Sequence, residues 1–467
     1  MCETEDVSKK PLDFEIKVLG SKKKVGAACY AYIKHLADGT RQIILIDFGS
    51  DPSKFLDMED GEGNIDTKVL PDLEWIKENQ NDIIAIFFTH GHMDHIGGVK
   101  FLPEELIERV AIFVTPFTAT LLQDSYRGFR GLGKELANVT IFDAELLEPI
   151  EVGVFKVIPF PVPHSIPDAC GYMIETRDPI KKVVHITDFK FNGQDHKDKM
   201  RLTKTLGEIG RHIIDTVVIE VLNSRFDGYT PQENLVFETI FNLVETIPDD
   251  RRVIITHFAS NVYRMKAILD IGRYTNKKFA MDGTAMKKFF KYGKEHEYID
   301  RGRHQTFANN AKIILVTGSQ GEPQAILAKA VDDLIDLEID ENDVVLFSSN
   351  VIPGNEDDFV DLVLDIEDLG ATVYVDQSSD FENFDGLDIH VVENLHVSGH
   401  GNWLDKKRAI ELIRPQKNIL MVHGEETDED DFLSRIDELK EAEAKSKNGL
   451  FWSHLNVISS ETGSVLV

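Results

Sequence analysis

Apolar residues in the first half of the chain fall into short continuous runs, and several of these runs are closed by polar residues. "QIILIDFG", "DIIAIFFTH" and "VVHITDF" read as buried strands, each delivering polar side chains at its C-terminal end. From about residue 216 the pattern becomes regular strand–helix alternation. "TVVIEV" is a strand. The helix after it is predicted to start with Thr230 as N-cap, Pro231 in the first helical position and Glu233 completing a capping box. Val236, Ile240, Leu243, Val244 and Ile247 form its apolar stripe. The alternation continues through "RRVIITHF", "KKFAM", "AKIILVTG" and "DVVLFSS", with helices near "NVYRMKAILDIG", "TAMKKFFKYG" and "PQAILAKAV". "FVDLVLDI" follows, and "ATVYV" closes the series. This predicts a compact α/β domain with a mostly parallel sheet. After residue 395 a helix ("WLDKKRAIELI"), a strand ("NILMV") and a final acidic helix and strand pair resume.

Composition changes this picture little. The 467 residues suffice for one large or two to three ordinary domains. No run approaches the ~18 apolar residues of a membrane span, and the N-terminus has no signal-peptide pattern. Cys2, Cys29 and Cys170 fit neither a disulfide framework nor a thiolate zinc pattern, so a cytoplasmic location is expected. Charge is more informative. The net charge of −30 argues against a general nucleic-acid binder. Between Arg251 and Gln305, however, thirteen Lys/Arg stand against five Asp/Glu, a local +8. This basic island would permit polyanion binding at one place, or would form a solvated helix face.

The densest chemistry lies in "THGHMDHIGG", immediately after a predicted strand. His90 and His92, two apart on an extended loop, can share one metal; Asp94 and His95 can reach a second. Further ligands should sit at other strand ends. His164, Asp188 and His423 occupy such positions, and the Asp188 carboxylate could bridge two metals. Nitrogen and oxygen donors suit zinc, with manganese also compatible. The loop alone leaves the bond open: a lactam, a thioester or a phosphodiester.

The H-x-H-x-D-H loop with a later His, Asp and His resembles the metallo-β-lactamase fold over roughly residues 12–220 and 395–467. The resemblance assigns His90, His92 and His164 to one metal, Asp94, His95 and His423 to the other, and Asp188 to both. A wider set, "VPHSIPDACGYMIET", "HITDFKF", "GYTPQE", "FASNVYR", "TGSQGEPQA", "IPGNE", "HVSGHG" and "VHGE", resembles the β-CASP nucleases, among them the ribonuclease J family. It implies an αββα metallo-β-lactamase sandwich, residues 1–220 and 395–467. Residues 221–394 would be an inserted β-CASP domain with a Rossmann-like parallel sheet flanked by helices.

The resemblance further implies a 5′→3′ exonuclease on single-stranded RNA, with endonuclease action alongside, leaving 5′-phosphate and 3′-hydroxyl ends. Asp94 and Asp188 would help two divalent metals activate a hydroxide, and His400, paired with Glu220, would protonate the leaving oxygen. His396 and Ser398, with Gly399 and Gly401 of the same loop, would contact the RNA at the scissile phosphate. Ser260 and Asn261 would hold a 5′-monophosphate, and "TGSQGEP" would open a helix able to receive an anion. Three departures stand out. His257 replaces a Thr, Thr284 stands where an arginine would help hold the RNA 5′ end, and Val221-Leu222 follow Glu220 where Ser-Thr is common. The chain also ends soon after its last sandwich strand, without the additional C-terminal domain of bacterial forms. Dimerisation through that domain therefore does not transfer, and a homodimer is one assembly left open. A DNA 5′-exonuclease and a catalytically silent RNA-binding protein are the alternative functions.

Overall fold

The computed structural model describes residues 13–51, 67–130, 135–300, 310–352, 354–379, 387–446 and 451–467. Cys2, Arg301, Arg303 and the N-terminal stretch judged for a signal peptide lie outside them. Among the described residues no helix is long and apolar enough to cross a membrane.

Two seven-stranded sheets face one another. The first runs, edge to edge, through Val465–Leu466, Phe14–Val18, Tyr30–His35, Arg41–Ile46, Ile83–Phe87, Ala111–Val114 and Val139–Ile141. The second runs through Asn456–Ile458, Asn418–Val422, Thr216–Glu220, Lys181–Ile186, Cys170–Thr176, Phe155–Pro161 and Ile150–Val152. Phe14, Tyr30, Tyr32 and Phe87 of the first sheet pack with Tyr172, Val183, Val218 and Leu420 of the second in one buried cluster. Strand Thr216–Glu220 shows why its run is apolar throughout. Val218 faces the other sheet, while Val217 and Ile219 join the helical layer containing Leu206, Ile410 and Phe432. Helices thus cover the outer faces, as the expected sandwich requires.

The third sheet is all parallel: Phe279–Met281, Ile313–Val316, Arg252–Thr256, Asp343–Phe347, Thr372–Asp376 and Ile389–Val392. It is an excursion between Thr216–Glu220 and Asn418–Val422, two strands that pair directly and in parallel. The carboxyl ends of its strands meet the 394–400 loop. Ser348 Oγ donates to Leu395 O at 2.7 Å, and the His396 N–H donates to Asp376 Oδ2 at 2.6 Å.

Three expectations need correction. "ATVYV" does not close the series: Ile389–Val392 adds a sixth strand, with His390 and Val391 turned to solvent at the sheet edge. The capping box is not formed. The helix begins at Glu233 with Gln232 as N-cap and no side-chain cap, because both predicted members are engaged elsewhere. Thr230 Oγ1 donates to His400 O at 2.8 Å, and the Glu233 carboxylate accepts from Arg264 at 2.6 Å. "TGSQGEP" forms a turn rather than a helix start. The helix there is Ile326–Val331, and its first two amides donate to Thr317 Oγ1 and Thr317 O, so they are not free for an anion. The basic island is paired in part: Arg264 is buried, and Arg252, Lys277, Lys287 and Lys288 meet Asp343, Asp249, Asp282 and Asp124, while Lys278 and Lys291 are exposed.

One close backbone contact sets the metal loop on the first sheet. Met93 O, Asp94 O and His95 O accept from Ser50 N, Ala28 N and Phe48 N. A Cβ on Gly49 would fall 1.6 Å from Asp94 O. Gly49→Ala should therefore lower stability by about 1–3 kcal/mol, the range of overpacked sites. Thermal unfolding measures this, and an unchanged midpoint would contradict the contact.

Candidate metal centre

Parallel register aligns the donors. Ile186 pairs with Ile219, and Glu220 pairs with Val422, so Asp188, Glu220 and His423 emerge side by side from three adjacent strands. Asp188 and His423 both take left-handed backbone conformations, with φ of 52° and 48°, which turn the chain out of the sheet there. Segment 90–95, which follows Ile83–Phe87 of the facing sheet, meets them from the other side; it is extended only to His92, and Asp94 and His95 lie on the short helix Met93–Ile96.

All seven ligand candidates converge. His90, His92, His164 and Asp188 form one group and Asp94, His95, Asp188 and His423 a second, with ligand atoms within 4.8 Å of one another in each. His92 Nδ1 lies 3.0 Å from His90 Nε2 and 3.1 Å from His164 Nε2. A tetrahedral ion with nitrogen ligands at ~2.0–2.1 Å would separate its donors by about 3.3 Å. In the second group, His95 Nε2 is 3.5 Å from Asp94 Oδ2 and 3.3 Å from Asp188 Oδ1, and His423 Nε2 is 3.5 Å from Asp188 Oδ2. His95 Nε2, His423 Nε2 and Asp188 Oδ1 are buried without a hydrogen-bond partner. Orphaned acceptors packed this closely fit divalent ions, which would satisfy them all.

Electrostatics agree with that donor set. Burial pushes His90, His92 and His164 below the ordinary histidine value, His92 to about 4, which leaves neutral rings with open lone pairs. Asp188 is driven well below the carboxylate range: burial opposes this, but His423, His95 and His90 prevail. His95 is raised despite burial because Asp188, Asp94 and Asp47 surround it, an excess of negative charge that cations would relieve.

Asp47 and Thr89 were missed by sequence reasoning. Asp47 ends the run "QIILID", with φ of 61°, and its Oδ2 accepts from His95 Nδ1 at 2.8 Å. Thr89 donates its amide and hydroxyl to the same carboxylate, each at 2.8 Å, and its hydroxyl lies 3.0 Å from His90 Nδ1. His164 Nδ1–H donates to Gly399 O at 2.9 Å. Each of these bonds holds a proton on the far nitrogen and leaves Nε2 as the ligand atom. The signal for Asp47 was present, because a polar residue closes a buried strand just as in the neighbouring runs.

His400 lies beside the cluster. Its Nδ1 is 2.6 Å from Glu220 Oε2, and its Nε2 is 3.9 Å from Asp188 Oδ2. Glu220 is fully buried, with the Phe189 N–H on Oε1 and the ammonium of Lys406 3.9 Å away. Ser398 Oγ accepts from the His400 amide at 3.1 Å and from Asn223 Nδ2 at 3.0 Å. A Cβ on Gly399 would meet His164 at 2.8 Å, and one on Gly401 would meet Asp405 at 2.5 Å, so close packing explains both glycines. Asn261 is buried and caps helix Val262–Tyr274, its Oδ1 accepting from the Arg264 amide. Ser260 is half-buried beside it. His257 is buried, with its Nδ1 2.7 Å from Phe258 O.

Comparison with known proteins now adds a family. Residues 250–366 match the model for the ribonuclease J β-CASP domain, and residues 62–220 match a β-lactamase superfamily domain. Ribonuclease J 1 of Streptococcus pyogenes is 29% identical over 430 residues, 90% of this chain and 70% of that protein. The chain is thus similar to ribonuclease J proteins over most of its length. Ribonuclease J proteins of Sinorhizobium meliloti and Thermus thermophilus are 28% and 29% identical over 76% and 79% of this chain. The chain spans only 60% and 62% of their lengths. A crystal structure of a protein of unknown function from Enterococcus faecalis has the same fold, with a TM-score of 0.58 at 15% identity over 97% of this chain and 100% of that one. The chain combines a metallo-β-lactamase sandwich with a β-CASP domain.

Asp47→Asn removes an acceptor for His95 Nδ1. Metal affinity should fall about 10–100-fold, the usual effect of losing such a partner. Competition against a chelator measures it; unaltered affinity would show that Asp47 does not orient the ligand.

Proposed function

We propose that the protein is a cytoplasmic, metal-dependent ribonuclease that cleaves single-stranded RNA from the 5′ end, with endonucleolytic cuts alongside, to leave 5′-phosphate and 3′-hydroxyl. In this reading residues 1–220 and 395–467 form the metallo-β-lactamase unit and 221–394 the β-CASP unit. The observation that carries it is the Glu220–His400 pair at 2.6 Å on the rim of the metal cluster. A hydrolase of lactams or thioesters has no evident use for a half-buried, carboxylate-backed imidazole delivered by a loop that returns from an inserted sheet. A phosphodiesterase does, because its leaving alkoxide needs a proton.

Two divalent ions, zinc by donor type with manganese as the alternative, would neutralise phosphate charge and activate a water at neutral pH. His90, His92 and His164 would hold one and Asp94, His95 and His423 the other, with Asp188 between them. His396 and Ser398 would meet the scissile phosphate, and Ser260 with Asn261 would lie near the RNA 5′ end. His400 would hold its proton on Nε2 for the departing 3′-oxygen. Burial opposes that charge, yet the Glu220 carboxylate wins and raises the His400 value. The proton is therefore retained as pH rises until that raised value is passed, and activity should fall above it.

His400→Ala should lower kcat by about 10²–10⁴-fold with metal content retained. Glu220→Gln should move the alkaline limb of kcat to lower pH, because the His400 proton is then lost earlier. A limb that stays in place would remove His400 from the role of acid. The substrate itself is tested by a time course on 5′-monophosphate, 5′-triphosphate and 5′-hydroxyl RNA beside matched DNA. Mononucleotides released first from monophosphorylated RNA are expected. Preferential digestion of DNA would overturn the RNA assignment, and internal fragments irrespective of the 5′ group would overturn the exonuclease assignment.

A further inference from the structure

Arg264 is the largest fully buried side chain among the described residues. It comes from helix Val262–Tyr274 of the third sheet's layer, yet it reaches the 394–400 loop. Its Nε donates to Glu233 Oε1 at 2.6 Å, Nη1 to Ser348 O at 2.8 Å, and Nη2 to Val397 O at 3.2 Å. Nη1 also lies 2.8 Å from His396 Nδ1. A second buried cation works beside it: Lys190 Nζ donates to Ser398 O at 2.8 Å and stands 3.7 Å from Glu233 Oε2. Two cations thus hold the consecutive carbonyls of Val397 and Ser398 from behind.

Stability alone is a poor reason for this arrangement, because well-packed apolar residues often replace buried ion clusters without loss. Orientation is a better one. A guanidinium only donates and stays protonated in proteins. His396 Nδ1 must then be the acceptor, and the one proton of the neutral ring lies on Nε2. The Ser348 carbonyl accepts from the same Nη1. Turning Nδ1–H towards it would set two donors against each other at 2.8 Å. We propose that Arg264 is a positioning residue: it fixes His396 as the Nε2–H tautomer and pins the 396–400 loop, so that His396 donates to a substrate phosphate while Ser398 and His400 keep their places beside the metal cluster. The substrate part rests on the ribonuclease reading above; the tautomer does not.

Nitrogen-15 NMR of the zinc-loaded full chain, labelled on histidine, tests the tautomer in the wild-type protein. The His396 signal is identified by its loss in His396→Gln. A proton on Nε2 with a bare Nδ1 is expected; an Nδ1–H ring or an imidazolium at neutral pH would overturn the proposal. Arg264→Met should lower kcat on single-stranded RNA about 100-fold, as for a misplaced reacting group, with KM moved far less. Arg264→Lys, which keeps the charge but not the fork, should fall between. A folded Arg264→Met protein with wild-type kcat or an unaltered His396 signal would refute the positioning role. If Arg264→Met does not fold, the wild-type tautomer and Arg264→Lys still decide. If the wild type cleaves no RNA, the ribonuclease reading fails, whereas the NMR result still judges the contact between Arg264 and His396.

Discussion

Three parallel strands, Lys181–Ile186, Thr216–Glu220 and Asn418–Val422, end at the same level, and the site depends on that register. Side chains alternate along a strand, so a slip of one residue would turn Asp188, Glu220 or His423 away from its partners. The register is held by runs buried on both faces: Val217 and Ile219 against helices, Val218 against the opposite sheet. Apolar packing thereby fixes the spacing of charged groups that would otherwise avoid a common buried volume.

The chemistry of the centre follows from how those charges are balanced. Asp47, Asp94 and Asp188 gather around His95, whose Nε2 has no hydrogen-bond partner. Behind the cluster four charged or protonated groups have counterparts: Glu220 for His400, Glu233 for Arg264, and backbone carbonyls for Lys190 and Lys406. The inserted sheet contributes through this outer layer. It supplies Arg264, the Ser348 hydroxyl and the Asp376 carboxylate to the loop that ends at His400.

The parts of this arrangement legible in the sequence are those written locally. Short apolar runs closed by polar residues marked the strands whose ends carry His90, Asp188, Glu220 and His423, and the two-residue spacing of His90 and His92 marked two donors that converge. Contacts between distant segments were not legible. Thr230 and Glu233 have the spacing of a capping box, but the His400 carbonyl and the Arg264 guanidinium engage them. Arg264 itself counted as surface charge in the sequence, because nothing local distinguishes a buried arginine from a solvated one. The edge strand Ile389–Val392 has only one fully buried position, too little apolar signal to announce itself.

Pairing between Glu220 and Val422 also bears on when the centre can exist. A chain made from its N-terminus presents six of the seven candidate ligands before the inserted sheet, and His423 only after it. Strand Asn418–Val422 can join Thr216–Glu220 only once the intervening excursion has folded compactly enough to bring the chain back, a slow, high-separation contact. His400 arrives on the same return. A nascent chain therefore lacks both His423 and His400, and on the proposed reading it would hold neither the complete ligand set nor the proton donor.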